Sequence, residues 1–139
     1  MQDIPTGFVP HRFLRTEPFL ESFGPFYIRR GEGRSRIGLR IESRHTNPNG
    51  TAHGGMISSM ADIVTAYAIF DACHPEVPRL ATISLTVDFL DAPPLGCWLD
   101  GWGEVQRMGK SLVFARCELF ADGKLTARAN GIFKKLKKT

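Results

Sequence analysis

The chain has 139 residues, 18 Lys and Arg against 14 Asp and Glu, and a formal net charge of +4. Its 42% hydrophobic and 23% charged content is that of an ordinary globular protein, and the length suits one domain, residues 1–139, with a substantial core. No uninterrupted apolar run reaches the ~18 residues of a bilayer span, and the first residues carry no signal-peptide pattern, so no membrane partner and a cytoplasmic setting are expected.

Cys73, Cys97 and Cys117 are odd in number and widely spaced. With no CxxC and no HExxH, the pattern predicts buried or half-buried free thiols rather than a disulfide framework or a metal site. The basic excess sits mostly in "RRGEGRSR" and the terminal "FKKLKK". It suits an anionic small molecule, and no zinc-finger or RNP-type motif argues for nucleic acid.

In chain order, Pro5, Pro10 and Pro18 punctuate a segment read as loop with one short helix near residues 17–23. "GPFYIRR" and "RSRIGLRIES" read as strands joined by a glycine turn; in the second, Ile37, Leu39 and Ile41 alternate with Arg36, Arg40 and Glu42. "NPNGTAHGGMISSMADIVTAYAIF", residues 47–70, opens on turn formers and becomes a long apolar helix. Four strand signals follow at hairpin spacing. In "LATISLTVDFL", strict alternation would put Ala81, Ile83, Leu85, Val87 and Phe89 on one face and Thr82, Ser84, Thr86 and Asp88 on the other. "CWLDGWGEVQ", "LVFARCELF" and "KLTARANGIFKKL" come next, the last two joined by an Asp122-Gly123 turn of hairpin type. The expected fold class is α+β: an antiparallel sheet of five to six strands wrapped around one long central helix.

Taken at about 100° per residue, the helix spreads Met56, Ile57, Met60, Ile63, Val64, Tyr67 and Phe70 over a broad apolar arc. Ser58, Ser59, Asp62 and Thr65 share the remaining one. Periodicity alone would make Asp62 a surface acid. Yet the arc holds no Lys, Arg or Glu, which a solvated face normally carries. Short residues around one carboxylate fit a crevice or a subunit contact better. Other motifs fail. In "GEVQRMGKS" the glycines enclose five residues where a phosphate loop has about four. "GWGEVQ" lacks the third glycine of a dinucleotide fingerprint, and no GxSxG elbow supplies a serine nucleophile.

Asn47, His53-Gly54-Gly55 and Asp62 form the pattern N-x5-HGG-x6-D, with the acid on a helix. This resembles the hotdog-fold thioesterases, in the phenylacetic-acid-degradation-protein-like branch. "LATISLTVDFLDAP" and "RMGKSLVFARCELFADGKLTARANGIF" are similar to that family's later strands. The likeness runs over about residues 35–135 and leaves the first 25 or so as an extension that caps the pocket or serves assembly. The resemblance implies a hotdog fold, a homodimer whose two sheets join or a homotetramer, and hydrolysis of acyl thioesters, usually of coenzyme A, with no cofactor and no metal. By residue it implies Asp62 as general base or nucleophile and Gly54 as the backbone N–H donor to the thioester carbonyl. Asn47 would help hold that carbonyl or the water, and Thr82 would assist the acid. His53 and Gly55 are assigned to the substrate-binding helix entrance, where His53 also reads as a residue that fixes the turn by hydrogen bonds. Arg107, Lys110, Ser111 and the C-terminal lysines are candidates for the coenzyme A phosphates, or equally an exposed hairpin turn. A medium-chain or aromatic acyl group is expected, its length set by side chains such as Met56, Met60, Phe70 and Phe89. The alternatives are an acyl-CoA-binding domain without catalysis and a hotdog hydratase or dehydratase, although D-x-N-x4-H is absent.

The chemistry suits these residues. A helix N-terminus offers unpaired N–H groups and partial positive charge, and glycine lets a substrate approach the backbone closely. Gly54 and Asp62 are eight residues apart, about 12 Å along a helix. That is too far for both to serve one carbonyl. Either the chain bends at Gly54-Gly55, or each site takes Asp62 from one subunit and Gly54 from another.

Overall fold

Hairpin chemistry lays out the sheet. In the computed structural model, which describes residues 3–13, 15 and 17–137, two tight turns carry left-handed backbone at Glu32-Gly33 (φ 55° and 74°) and Asp122-Gly123 (φ 47° and 84°). Two consecutive positive φ angles match the right-handed twist of the strands they join. The elements run β1 (Val9–Pro10), α1 (Pro18–Glu21), β2 (Tyr27–Gly31), β3 (Arg34–Arg40), α2 (Gly54–Cys73), β4 (Leu80–Phe89), β5 (Trp98–Met108), β6 (Leu112–Ala121) and β7 (Lys124–Lys135).

The strands form one antiparallel sheet in the order β1-β2-β3-β5-β6-β7-β4, curled around α2. This is the expected hotdog architecture with one strand more than the five to six expected. The addition is the two-residue β1, whose Val9 pairs with Ile28 of β2. The chain leaves α2 and crosses to the far edge, where, among the described residues, β4 pairs only with β7. The two edges differ. β1 is two residues long and contains Pro10, which has no N–H to offer, whereas β4 is ten residues long with one side unpaired.

α2 buries ten residues, among them Met56, Met60, Ile63, Val64 and Tyr67 against Ile37, Leu39, Leu99, Cys117 and Leu119 of the sheet, and Ile69 against Val113, Ala115 and Phe133. Contrary to the sequence expectation, its length and mean hydropathy of 1.3 would suit a membrane span. Burial explains this: a helix packed on most sides by a sheet is apolar nearly all round. Gly103 of β5 permits the close approach, since a Cβ there would stand 3.1 Å from Ala68 Cβ and 2.6 Å from the Arg116 carbonyl oxygen. Met56 and Met60 belong to this core and do not reach the crevice described below. Thr65, expected beside Asp62, is instead fully buried and donates its hydroxyl to the Ala61 carbonyl at 2.7 Å. The sheet wraps far enough round α2 to cover that side. The arc left half-buried is Ser58, Ser59, Asp62 and Ala66. The three cysteines are free, Cys97 and Cys117 buried and Cys73 half-buried.

One irregularity overturns the alternation expected for β4. Thr82 pairs with Phe133 and Ser84 with Ile132, so Ile83 is an unpaired extra residue, a bulge. Every side chain before it changes face relative to those after it. Thr82 therefore lies on the helix-facing side with Leu85 and Val87, not with Ser84 and Thr86. Ile83 is thrown outward and is 57% exposed.

Candidate active site

The entrance of α2 is built by a short loop. Asn47 Oδ1 accepts from the N–H groups of Asn49 (2.9 Å) and Thr51 (3.3 Å), and its Nδ2 donates to Thr51 Oγ1 at 3.0 Å. The loop ends at His53, the N-cap, whose extended backbone (φ −62°, ψ 139°) turns the chain into the helix. The His53 Nδ1 accepts from Gly55 N–H at 2.8 Å, and its carbonyl accepts from Met56 and Ile57. Three of the four amides that a helix start leaves without intrahelical partners are thus Gly54, Gly55 and Met56, and two of those are engaged. Among the described residues no acceptor faces Gly54 N–H. A Cβ at Gly54 would touch only the Phe89 ring, at 3.7 Å. The helix positive end is therefore focused on one unpartnered donor.

Asp62 lies eight residues further on, in the unbroken helix Gly54–Cys73. A bend at Gly54-Gly55 is excluded, and the two groups stay about 12 Å apart within a chain. The bulge in β4 brings Thr82 to Asp62, and the threonine hydroxyl donates to Asp62 Oδ1 at 2.7 Å. Both line a crevice of about 1000 Å³ between α2, the N-terminal segment and the connection from α2 to β4. Asn47, His53, Gly54 and Gly55 stand outside it, at the other end of the helix. Within one chain, then, the structure joins Asp62 to Thr82 and separates both from the Asn47–Gly55 group.

Sequence reasoning missed the crevice's other wall. His11 and Phe13 from the N-terminal segment meet Tyr67 and Phe70 of α2, with a His11 ring nitrogen hydrogen-bonded to the Tyr67 hydroxyl. The rings pack edge to face: His11 on Tyr67 at 5.2 Å between centroids, Tyr67 on Phe70 at 5.1 Å. Burial, with Arg30 nearby, lowers the His11 pKa, while burial pushes the Tyr67 phenol up to about 12. The imidazole is held towards its neutral form and the phenol remains a donor. No local motif marks this pair, because its members are 56 residues apart. Of the side chains expected to set acyl length, Phe70 lines the crevice and Phe89 lies against Gly54.

Arg107, Lys110 and Ser111 line a separate open depression of about 670 Å³ at the β5–β6 turn, with Leu112 and Phe114. The Ser111 carbonyl accepts from Lys135 N–H, one residue before the crevice-lining Leu136. Lys138 of the C-terminal lysine cluster lies outside the described residues. Burial pushes the Cys97 and Cys117 thiols up to about 11, so neither is a ready thiolate nucleophile.

A sheet curled on one helix, with a carboxylate in a crevice beside it, defines a hotdog-type fold. Residues 49–127 match the thioesterase superfamily model, which is over half the chain. A Pseudomonas aeruginosa protein provisionally named an esterase is 36% identical over 96% of this chain and 98% of its own length. Human acyl-coenzyme A thioesterase 13 is 27% identical over 65% of this chain and 64% of its own. Among solved structures, a phenylacetic acid degradation-related protein of Ralstonia eutropha superposes with a TM-score of 0.74, at 27% identity, covering 86% of this chain and 92% of that one. The chain belongs to the thioesterase superfamily, and it is a thioester hydrolase.

Proposed function

We propose that the chain hydrolyses the thioester of a medium-chain or aromatic acyl-CoA in a site shared between two copies. Asp62 and Thr82 would come from one copy and Gly54 N–H from the other. One observation carries this reading. The unbroken helix α2 holds the Asp62–Thr82 pair and the unpartnered Gly54 amide about 12 Å apart, at opposite ends of the open edge strand β4. Thr82 marks one end of that strand and Phe89, against Gly54, the other.

An unpaired ten-residue edge is a template for a second strand. It carries exposed Ile83 and Phe89, with Leu90 just beyond. If two β4 strands pair antiparallel about a two-fold axis at Thr86, with Ile83 left out of the register as the bulge, Thr82 of each faces Phe89 of the partner. The partner's Gly54 is then carried towards Asp62. This supports a homodimer with composite sites, and pairing of two such dimers would give a homotetramer.

In that site the thioester carbonyl oxygen accepts from Gly54 N–H at the positive end of α2, where charge develops as the carbon becomes tetrahedral. Asp62 either takes a proton from water as the water attacks, or attacks the carbon itself, expelling the thiolate and forming a mixed anhydride that a water molecule then hydrolyses to regenerate the carboxylate. Thr82 fixes the carboxylate rotamer. Either route ends with the C–S bond broken, the coenzyme A thiol protonated and the free acid released. Asn47 and His53 shape the amide donor, leaving Gly54 alone to face the substrate. Arg107, Lys110 and Ser111 offer cationic and hydroxyl groups to the phosphates, near the Leu136 rim of the crevice.

The test is free-thiol release across an acyl-CoA panel. Asp62→Asn is expected to lose about 10²–10⁴-fold in rate, the usual worth of general acid–base catalysis, with assembly unchanged. Rates within twofold of wild type would sink the assignment, and binding without turnover in the wild type would favour a binding domain. Mixing inactive Asp62→Asn chains with inactive Gly54→Pro chains should restore about a quarter of the wild-type rate, since half the dimers are mixed and each has one intact site. No recovery in verified mixed dimers would refute sharing.

A further inference from the structure

We propose that the His11–Tyr67 pair is the specificity-determining end wall of the acyl crevice, a stop that limits how long an acyl chain the site accepts. This rests on the reading of Asp62 as the hydrolytic end of the same crevice. An acyl group whose carbonyl sits at Asp62 runs along the half-buried side of α2. Tyr67 is five residues on and Phe70 eight, about 7.5 and 12 Å along the helix.

There the tail meets a wall closed from the opposite side by the N-terminal segment. His11 is hydrogen-bonded to the Tyr67 hydroxyl, and Phe13 packs edge-on against His11, at 5.2 Å, and against Phe26, at 5.5 Å. β1 anchors the segment just before His11, and His11 N–H donates to the Phe26 carbonyl at 3.0 Å. The wall is therefore tied both to the sheet and to the helix. Its tip is polar: a phenol and an imidazole joined to each other, with Arg30 beside them. A longer alkyl chain would have to part that pair or desolvate it, and neither is favourable without a replacement partner.

His11 and Phe13 fall outside residues 49–127, the stretch that matches the superfamily model. The matched core thus supplies the acid, the helix face and Tyr67, while a segment outside that core supplies the other half of the stop. Selectivity can change here without touching Asp62, Thr82 or Gly54.

The experiment measures kcat/KM for hexanoyl- and dodecanoyl-CoA in wild type, His11→Ala, His11→Gln and Tyr67→Phe. His11→Ala opens the wall, and the dodecanoyl-to-hexanoyl ratio is expected to rise about tenfold, the scale on which pockets discriminate methylenes. Tyr67→Phe breaks the hydrogen bond without changing ring size and should raise the ratio in the same direction. His11→Gln can still accept the phenol proton and should stay near wild type. If His11→Ala does not fold, Tyr67→Phe carries the test. A ratio within twofold of wild type in both, or an equal loss on both substrates, overturns the proposal. Equilibrium binding of the same two acyl-CoAs to these variants in an Asp62→Asn background needs no turnover. It reads the stop even if wild type hydrolyses neither substrate, an outcome that would count against the catalytic reading alone.

Discussion

Gly54 offers a substitution whose effects on stability and on activity should have opposite signs. Its φ lies outside the left-handed region, and an added Cβ would meet only the Phe89 ring, at 3.7–3.8 Å, which is ordinary van der Waals contact. Gly54→Ala therefore fits the folded chain. Reduced freedom of the unfolded chain should stabilise it by about 0.4–1 kcal/mol, or roughly 1–4 °C in Tm at this size. The new methyl, however, stands beside the one unengaged amide of the helix start, on the path a carbonyl must take. Gly54→Pro removes that N–H outright. The first helical position tolerates proline, and His53 already has the extended backbone that a residue before proline adopts (ψ 139°). Loss of one oxyanion donor costs about 10²–10³ in kcat, and that is the expectation for Gly54→Pro, with a smaller loss for Gly54→Ala. Thiol-release kinetics and thermal unfolding on the same preparations check both signs. Wild-type kcat in a folded, proline-substituted chain would refute the oxyanion assignment, and marked destabilisation by alanine would refute the steric reading of the helix entrance.

Other substitutions test the supporting groups. Thr82→Val removes the donor to Asp62 and should lower kcat/KM about ten- to a hundredfold, the worth of a hydrogen bond to a charged group, while the melting temperature barely moves because the residue is exposed. His53→Ala leaves Gly55 N–H without its cap, which should cost about 0.5–2 kcal/mol in denaturant unfolding; an unchanged midpoint would show that solvent replaces the imidazole. For His11, the folded-state pKa lies below the ordinary 6.5, through burial and then the charge of Arg30. The folded chain therefore binds this proton less readily than the unfolded one. The corresponding stability is full above pH 6.5 and is lost as pH falls through the lower folded-state value. Tyr67, pushed up to about 12, does not titrate in that window. The stability advantage of wild type over His11→Gln should shrink as pH is lowered from about 7.5 to 5, measured by denaturant midpoints; a constant difference would contradict the shift.

The parts of the candidate site that were legible in the sequence carry local signals. The absence of long charged residues set Asp62 apart from an ordinary surface acid, and the fixed rise of a helix put it about 12 Å from Gly54. The pairing of the two as acid and donor came from the family resemblance, and the choice between a bent chain and a shared site stayed open until the helix was seen unbroken. The face of Thr82 was not legible. A bulge inserts one residue, and Ile83, being apolar, keeps the alternation looking intact while the backbone slips by one. Thr65 misled for a related reason: helical angle orders the side chains, but how far the sheet wraps decides which of them stay wet. The His11–Tyr67 wall left no mark, since a proline-rich lead segment gives no period from which to predict where it docks.

The inequality of the two sheet edges bears on how far assembly can run. A protein with two receptive edges can add chains at both and grow into a filament. Here one edge ends in a two-residue strand with a proline, and among the described residues only β4 is long and open. In the proposed dimer, edge-to-edge addition would therefore saturate once two β4 strands have met, and any larger assembly would use faces rather than strands. The inequality of the edges thus guards a strand-rich chain against open-ended polymerisation.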